Sequence, residues 1–214
     1  MNERIQKTEA FLRDKFENAA VFVNEPEKMN YRLEHSIRVA NIGRRIAEKE
    51  GFDTEAFVIA CLLHDVSYCM EFKTREDQIN HGRLSAKIAR PFLQELGYSG
   101  KTLNDICYAI AIHVDEEADF PGEKNAFTLS VGDADNIDRF DVWRIYENLK
   151  YNLCLEELSL PQRIEKLTKL LEKLHGFCTL PFATDTSTVL WQEKIDYQIG
   201  FYERLLLQYK NSSI

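Results

Sequence analysis

The sequence is poor in the residues that interrupt helices, with nine glycines and five prolines among 214 residues. It also has no long segment in which polar and apolar residues alternate, which is the pattern of half-buried strands. Apolar residues make up 44% of the chain, enough for a substantial core in one domain with or without an appended subdomain. These features favour helical structure.

Basic charge is scarce as well. The 27 Lys and Arg residues are outnumbered by 35 Asp and Glu, so the chain lacks the positive field that general nucleic-acid and membrane-surface binders use. No apolar run reaches the roughly 18 residues that a membrane span requires, and the N-terminal segment lacks the apolar core of a signal peptide. We therefore expect a cytoplasmic protein that does not bind membranes or nucleic acids in general. No pattern specifies the oligomeric state.

Paired cysteines are also missing. The five cysteines are odd in number and form no CxxC pair, so we expect free thiols. Cys61 and His64 have a C-x-x-H spacing, but no second cysteine pair accompanies them to complete the four ligands of a structural zinc site.

Apolar residues recur at helical spacing along most of the chain. The predicted helices cover residues 3–20, 31–49, a segment that opens after Asp53 or Thr54, 82–96, 102–113, 126–149, 161–175 and 186–210. Pro91 predicts a kink or a break, because an interior proline removes a backbone hydrogen bond. We expect residues 1–29 to form an N-terminal helix and loop, residues 30–150 the core, and residues 151–214 a C-terminal helical extension packed on that core.

The apolar segment AFVIACLLHDVSY, residues 56–68, ends in His64 and Asp65. A buried carboxylate is costly unless it finds a partner. Partners are available on other predicted helices, since His35 and Asp133 each fall on an apolar helical stripe. His64 and Asp65 point about 100° apart on a helix, so both can reach one ion only if the helix ends there.

Two further histidines lie beside apolar helical faces. His81 stands at the entrance of predicted helix 82–96, and His113 lies on the apolar face of predicted helix 102–113. Imidazole nitrogens and carboxylate oxygens are natural ligands of zinc, iron and manganese, and a bound cation offsets the cost of their burial. One such histidine alone is more simply a core residue, but the whole set predicts a metal centre.

These motifs resemble those of the HD-domain metal-dependent phosphohydrolases, in which a histidine on one helix precedes a His-Asp doublet and a distant aspartate. YRLEHSIRVANIG contains His35, ACLLHD contains His64 and Asp65, and SVGDADNID contains Asp133. The resemblance covers about residues 30–145. It implies an all-α fold, an HD-domain helical bundle with additional C-terminal helices, in which these four residues hold a divalent metal ion.

The resemblance also implies roles for other residues. His81 and His113 match positions that in some subgroups bind a second metal ion or face the substrate, so we expect either a second ion or an acid-base role, the latter slightly favoured. Arg38 matches a common arginine of the family and is a candidate phosphate contact, with a surface role as an equal alternative. Asp135 and Asp138 point away from Asp133 on a regular helix, so we expect them in supporting or surface positions.

The activity implied is hydrolysis of a phosphate ester or anhydride, with a nucleotide or other small phosphorylated metabolite as substrate. One or two divalent ions are expected, drawn from Mn, Fe, Zn, Co, Ni or Mg. The doublet is followed by VSY rather than by the glycine of HDIG, and no GYP motif is present, which disfavours the cyclic-dinucleotide phosphodiesterases. Two alternatives stay open: a di-iron oxygenase of the same fold, and a binding module that keeps its metal without turnover.

Overall fold

The computed structural model describes residues 2–118 and 121–212, and within them the regular secondary structure is helical, without strands. This confirms the predicted all-α class. The α-helices are α1 (Glu3–Glu17), α2 (Pro26–Glu50), α3 (Thr54–Leu63), α4 (Arg75–Ile79), α5 (His81–Glu95), α6 (Gly100–Ile112), α7 (Ala126–Arg139), α8 (Val142–Glu147), α9 (Leu160–Phe177) and α10 (Asp185–Lys210). None of these described helices has both the length and the apolarity to cross a membrane.

Local capping explains several helix ends. Asp53 caps α3 as expected, because its carboxylate accepts the backbone N–H of Ala56 at 3.1 Å. Gly51 ends α2 in the left-handed conformation, with φ of 72°, which glycine adopts without a Cβ clash. Pro26 lies in the first turn of α2, where its missing N–H costs no hydrogen bond. The helix begins at this proline, five residues before the predicted start at residue 31.

Two further helices differ from the sequence-based expectation. No break occurs at Pro91, since α5 continues through it from His81 to Glu95. The single helix expected over residues 126–149 is divided into α7 and α8. Asp141 starts the second of them by accepting the N–H of Val142 at 2.7 Å, so a cap inside the apolar pattern begins a new helix.

The chain divides into two compact units, one up to Asp138 and one from Arg139 onward. In the first unit α3 is buried along its length from Ala56 to Leu63 and packs against α1, α2 and α6, while α5 packs on α6. In the second unit α10 packs against α9 and α8. The division precedes the expected boundary at residue 150, and the packing of residues 151–214 on the core stays a prediction.

Close helix approach in the first unit depends on two glycines. A Cβ on Gly82 of α5 would lie 2.8 Å from the carbonyl oxygen of Ala111 and 3.0 Å from Nδ1 of His113. A Cβ on Gly132 of α7 would lie 2.9 Å from the carbonyl oxygen of His113. Because neither glycine has a side chain, α5 and α7 both reach the end of α6 where His113 stands.

Candidate metal centre

The His-Asp doublet lies where α3 ends. Leu63 is the last residue of the helix, His64 is its C-cap, and Asp65 already has φ of −107° and ψ of 13°, ahead of the 3₁₀ helix Val66–Cys69. The two side chains consequently turn toward the same place, with His64 Nε2 3.6 Å from Asp65 Oδ2. The helix end expected at the doublet is confirmed.

A first group of possible ligand atoms comes from His35, His64 and Asp135, with Asp65 next to it, and all four residues are buried. His35 Nε2 lies 3.3 Å from His64 Nε2 and 3.1 Å from Asp135 Oδ1. His64 Nε2 lies 3.8 Å from Asp135 Oδ1. Asp65 Oδ2 completes the group, 3.7 Å from His35 Nε2.

These separations can be compared with those around a divalent ion. Ligand atoms held at about 2.1 Å from an ion stand about 3.0 Å apart in adjacent octahedral positions and about 3.4 Å apart in tetrahedral ones. The observed distances run from 3.1 Å, between His35 and Asp135, to 3.8 Å, between His64 and Asp135. The group therefore has the size of a metal site, with nitrogen and oxygen donors.

The outer ring nitrogens direct the Nε2 atoms inward. His35 donates through Nδ1 to Asp138 Oδ2 at 2.7 Å, and His64, His81 and His113 each bond through Nδ1 to the backbone carbonyl three residues earlier. A neutral imidazole that donates through Nδ1 carries a lone pair at Nε2. Nε2 lone pairs and carboxylate oxygens then face one another, an arrangement that is repulsive alone and that a cation stabilises.

The carboxylate of Asp65 joins this group to a second one. Its Oδ1 atom lies 3.1 Å from His81 Nε2 and 3.6 Å from His113 Nε2, while these two nitrogens are 3.0 Å apart. Oδ2 faces the first group instead. The two oxygens of one buried carboxylate are thus divided between two sets of histidines.

The buried charges depend on one another. Burial raises the pKa of Asp65, but the neighbouring histidines and an arginine outweigh it and hold that pKa well below its usual range. Burial also raises the pKa of Asp135, but His35 and His64 lower it by more, so this pKa too lies well below its usual range. Burial lowers the pKa of His35, yet Asp135 and Asp138 outweigh it and raise the pKa to about 9. The centre therefore attracts positive charge, from a proton or from a metal ion.

The structure brings Asp135, and not Asp133, to the first group. Asp133 belongs to neither set of possible ligand atoms among the described residues, and we therefore propose Asp135 as the fourth ligand in place of the predicted Asp133. Its side chain leaves α7 about 200° away from that of Asp135, because the two are two residues apart. Asp135 and Asp138 are both buried and share one face at a spacing of three. In the sequence, this i, i+3 pair of aspartates is the feature that indicates Asp135 as a buried candidate ligand.

Arg38 is engaged behind the first group. Its Nε donates to Asp138 Oδ1 at 2.7 Å and its Nη2 donates to Asp138 Oδ2 at 3.1 Å. Asp138 in turn accepts from Nδ1 of His35. Through this chain of hydrogen bonds Arg38 orients His35, a candidate ligand, and the predicted contact of Arg38 with substrate phosphate stays a prediction.

Arg32 was not singled out from the sequence. Its Nη1 donates to Asp65 Oδ2 at 3.0 Å, and its guanidinium lies over the ring of Tyr68, 3.5 Å from the ring centroid. The side chain is 28% exposed, so it connects the buried centre with solvent. Its position one turn before His35 on α2 is the signal that points to it.

A helical bundle with a buried histidine–carboxylate centre is the class of protein that this geometry defines. The family model for the HD domain matches residues 32–143, and the chain belongs to that family. A similar solved structure is the crystal structure of a predicted HD superfamily hydrolase from an uncultured Thermotogales bacterium, with a TM-score of 0.61 and 17% identity over 95% of this chain and 92% of that chain. That likeness supports the fold. No curated protein matches the sequence.

Proposed function

We propose that this protein is a metal-dependent phosphohydrolase that cleaves a phosphate ester or anhydride of a nucleotide or another small phosphorylated metabolite. The observation that carries the proposal is Asp65, whose two oxygens face two sets of histidine nitrogens. Two adjacent cation sites suit phosphoryl chemistry, because both the attacking and the leaving oxygen need stabilisation. Membership of the HD family and the relative described as a hydrolase support the same function.

The first cation would be held by His35, His64, Asp65 and Asp135. A divalent ion there would supply Lewis-acid chemistry for phosphoryl transfer to water. The protein's own part is to keep the ligand atoms in place. Asp138 prevents the His35 ring from turning, as a backbone carbonyl does for His64, and such outer hydrogen bonds also make the ligand nitrogen more basic.

For His81 and His113 the distances favour a second cation. Their Nε2 atoms are 3.0 Å apart and share Asp65 Oδ1 as a neighbour, which is the arrangement of three donors around one ion. A proton held between the two rings also satisfies this geometry, and one ring would then act as general acid toward the leaving group. Metal stoichiometry separates these two roles.

We further propose that Arg32 contacts the substrate phosphate. Its guanidinium is fixed on one side by Asp65 and beneath by Tyr68, yet part of the side chain remains exposed at the centre. Planar guanidinium groups bind phosphate oxygens in pairs, so a fixed and partly exposed arginine suits the task.

The test combines elemental analysis of the purified protein with hydrolysis of a panel of phosphorylated metabolites in the presence of Mn²⁺, Co²⁺ or Mg²⁺. We expect about two equivalents of metal and turnover of at least one phosphate ester. Asp65→Ala should lose both the bound metal and the turnover. The matched control is Asp105→Ala, which removes a carboxylate that pairs with Lys101 on the outside of α6. Bound metal without turnover on any phosphate would instead identify a binding module.

The shared carboxylate also suits a di-iron oxygenase, in which two irons lie close together. Purification with and without oxygen, followed by iron analysis and optical spectroscopy, separates this alternative from hydrolysis. A cytoplasmic location is part of our proposal and is supported by the cysteines, all five of which are free thiols in the structure.

A further inference from the structure

A groove opens beside the candidate metal centre, along the segment that follows α3 and the first turns of α5. Its volume is about 440 Å³, within the range of about 300 to 1,000 Å³ that is typical of small-molecule sites. Phe72 and Leu84 are half-buried in its lining, and Asn80, Arg83 and Lys87 add polar groups. We call these five residues the side groove.

The side groove adjoins the second group of ligands through neighbouring residues and aromatic rings. Asn80 directly precedes His81, and the ring centroids of Phe72 and His81 are 6.4 Å apart. Tyr68 contacts both rings, with its centroid 5.0 Å from that of Phe72 and 5.1 Å from that of His81. Since His81 Nε2 lies 3.1 Å from Asp65, these three rings extend from the centre toward the side groove.

Most of the charged groups in the lining of the side groove have partners nearby. Arg83 is held by Asp115 through two contacts of 2.9 and 3.1 Å, and it donates to Asn80 at 3.0 Å. Asp77 accepts backbone N–H groups at the start of α4, and Glu71 pairs with Lys73 at 3.6 Å. The lining therefore suits a flat, uncharged group with polar edge atoms better than a second anion.

We propose that the side groove binds the leaving group of the substrate and selects a planar heteroaromatic group that stacks on Phe72. The polar edge of such a group faces Asn80 and Arg83, while Leu84 covers its far end. This inference rests on the proposed phosphohydrolase function and adds the part of the substrate that the metal centre does not contact. Stacking on an aromatic ring tolerates different ring systems, so selection is for flatness and polar edges.

Turnover by Phe72 variants tests the proposal. In Phe72→Ala, KM for 4-nitrophenyl phosphate should rise about tenfold with little change in kcat, because a stacked ring contributes to substrate and transition-state binding alike. KM for glycerol phosphate, which has no ring, should not change. Phe72→Leu keeps most of the apolar bulk but has no ring. If stacking on the ring matters, this variant should also show a raised KM for 4-nitrophenyl phosphate and an unchanged KM for glycerol phosphate. Phe201→Ala, which truncates a ring in another cavity, is the matched control.

A binding measurement keeps this inference separate from the proposed function. Adenosine, which carries no phosphate, is titrated by NMR into metal-free wild-type and Phe72→Ala protein, and we expect binding that weakens about tenfold in the variant. Binding that depends on Phe72 without hydrolysis of any phosphate ester would support the groove and reject the phosphohydrolase. Hydrolysis with equal KM changes for the aromatic and aliphatic esters, or adenosine binding unaffected by Phe72→Ala, would overturn the groove proposal alone.

Discussion

Replacing Asp135 with Asn tests the revised ligand set most directly, because Asp133 on the same helix provides a matched substitution. The Asn side chain has the same size and shape, so the packing of α7 should be preserved while the charge is removed. Asp135 Oδ1 lies 3.1 Å from His35 Nε2 and 3.8 Å from His64 Nε2, inside the first group. Asp133 lies outside both groups. Asp135→Asn should therefore weaken metal binding and Asp133→Asn should not.

The expected magnitude follows from the number of ligands. A four-ligand zinc site contributes about 10–16 kcal/mol of binding free energy, so an equal division assigns about 2.5–4 kcal/mol to each ligand. At about 1.4 kcal/mol for each factor of ten, loss of the Asp135 carboxylate corresponds to about 10²- to 10³-fold weaker binding. An amide oxygen that still coordinates the ion would place the loss near the lower value.

The assay is competition with a chromophoric chelator of known affinity, using metal-free protein at one pH and ionic strength. Metal content after dialysis gives an independent measure, and circular dichroism shows whether each variant keeps its helices. Equal loss of affinity in the two variants, or a loss confined to Asp133→Asn, would refute the assignment of Asp135 and restore the sequence-based one.

The remaining predictions concern the outer hydrogen bonds, the second group and pH. Asp138→Asn should weaken metal binding about 10- to 100-fold because the His35 ring loses its acceptor, with Arg38→Ala having a smaller effect, both measured by chelator competition. His81→Ala or His113→Ala should reduce elemental metal content from about two equivalents toward one; unchanged metal content with turnover lowered about 10²- to 10⁴-fold would instead indicate acid-base catalysis. The pKa of His35 in the folded, metal-free protein is raised from 6.5 to about 9, so its stabilising contribution is complete below pH 6.5 and is lost as pH rises through about 9. The melting temperature of chelator-treated protein should accordingly decrease as the pH is raised from 6.5 to about 9. A melting temperature that stays constant or increases over this pH range would contradict the raised pKa of His35.

Several features of the fold and the centre could be predicted because they depend on short stretches of sequence. The apolar run before His64 predicts a buried helix, and the polar doublet that follows predicts its end, as α3 shows. The position of His35 on the buried face of α2 follows from residues one turn away on either side. His81 lies at the entrance of α5 and His113 at the end of α6, as expected from the same local periodicity.

The rotation of α7 could not be read from its own apolar residues. The apolar stripe that includes Ile137 predicts that Asp133 faces inward. In the structure Ile137 is indeed buried, but Gly132, Asp135 and Asp138 are buried too, and Gly132 packs against the carbonyl of His113. A helix pattern defines faces relative to one another, whereas the neighbours that pack against it decide which face is buried.

The sequence by itself determined the helical class and placed the histidines and the doublet at helix faces and helix ends, because periodicity and capping act over a few residues. Only the tertiary structure decided that Asp65 serves two groups and that His81 and His113 meet at 3.0 Å. That meeting requires α5 and α6 to approach each other at Gly82, and the two histidines are 32 residues apart in the chain. Distances between helices arise from packing between distant segments, which no local pattern encodes.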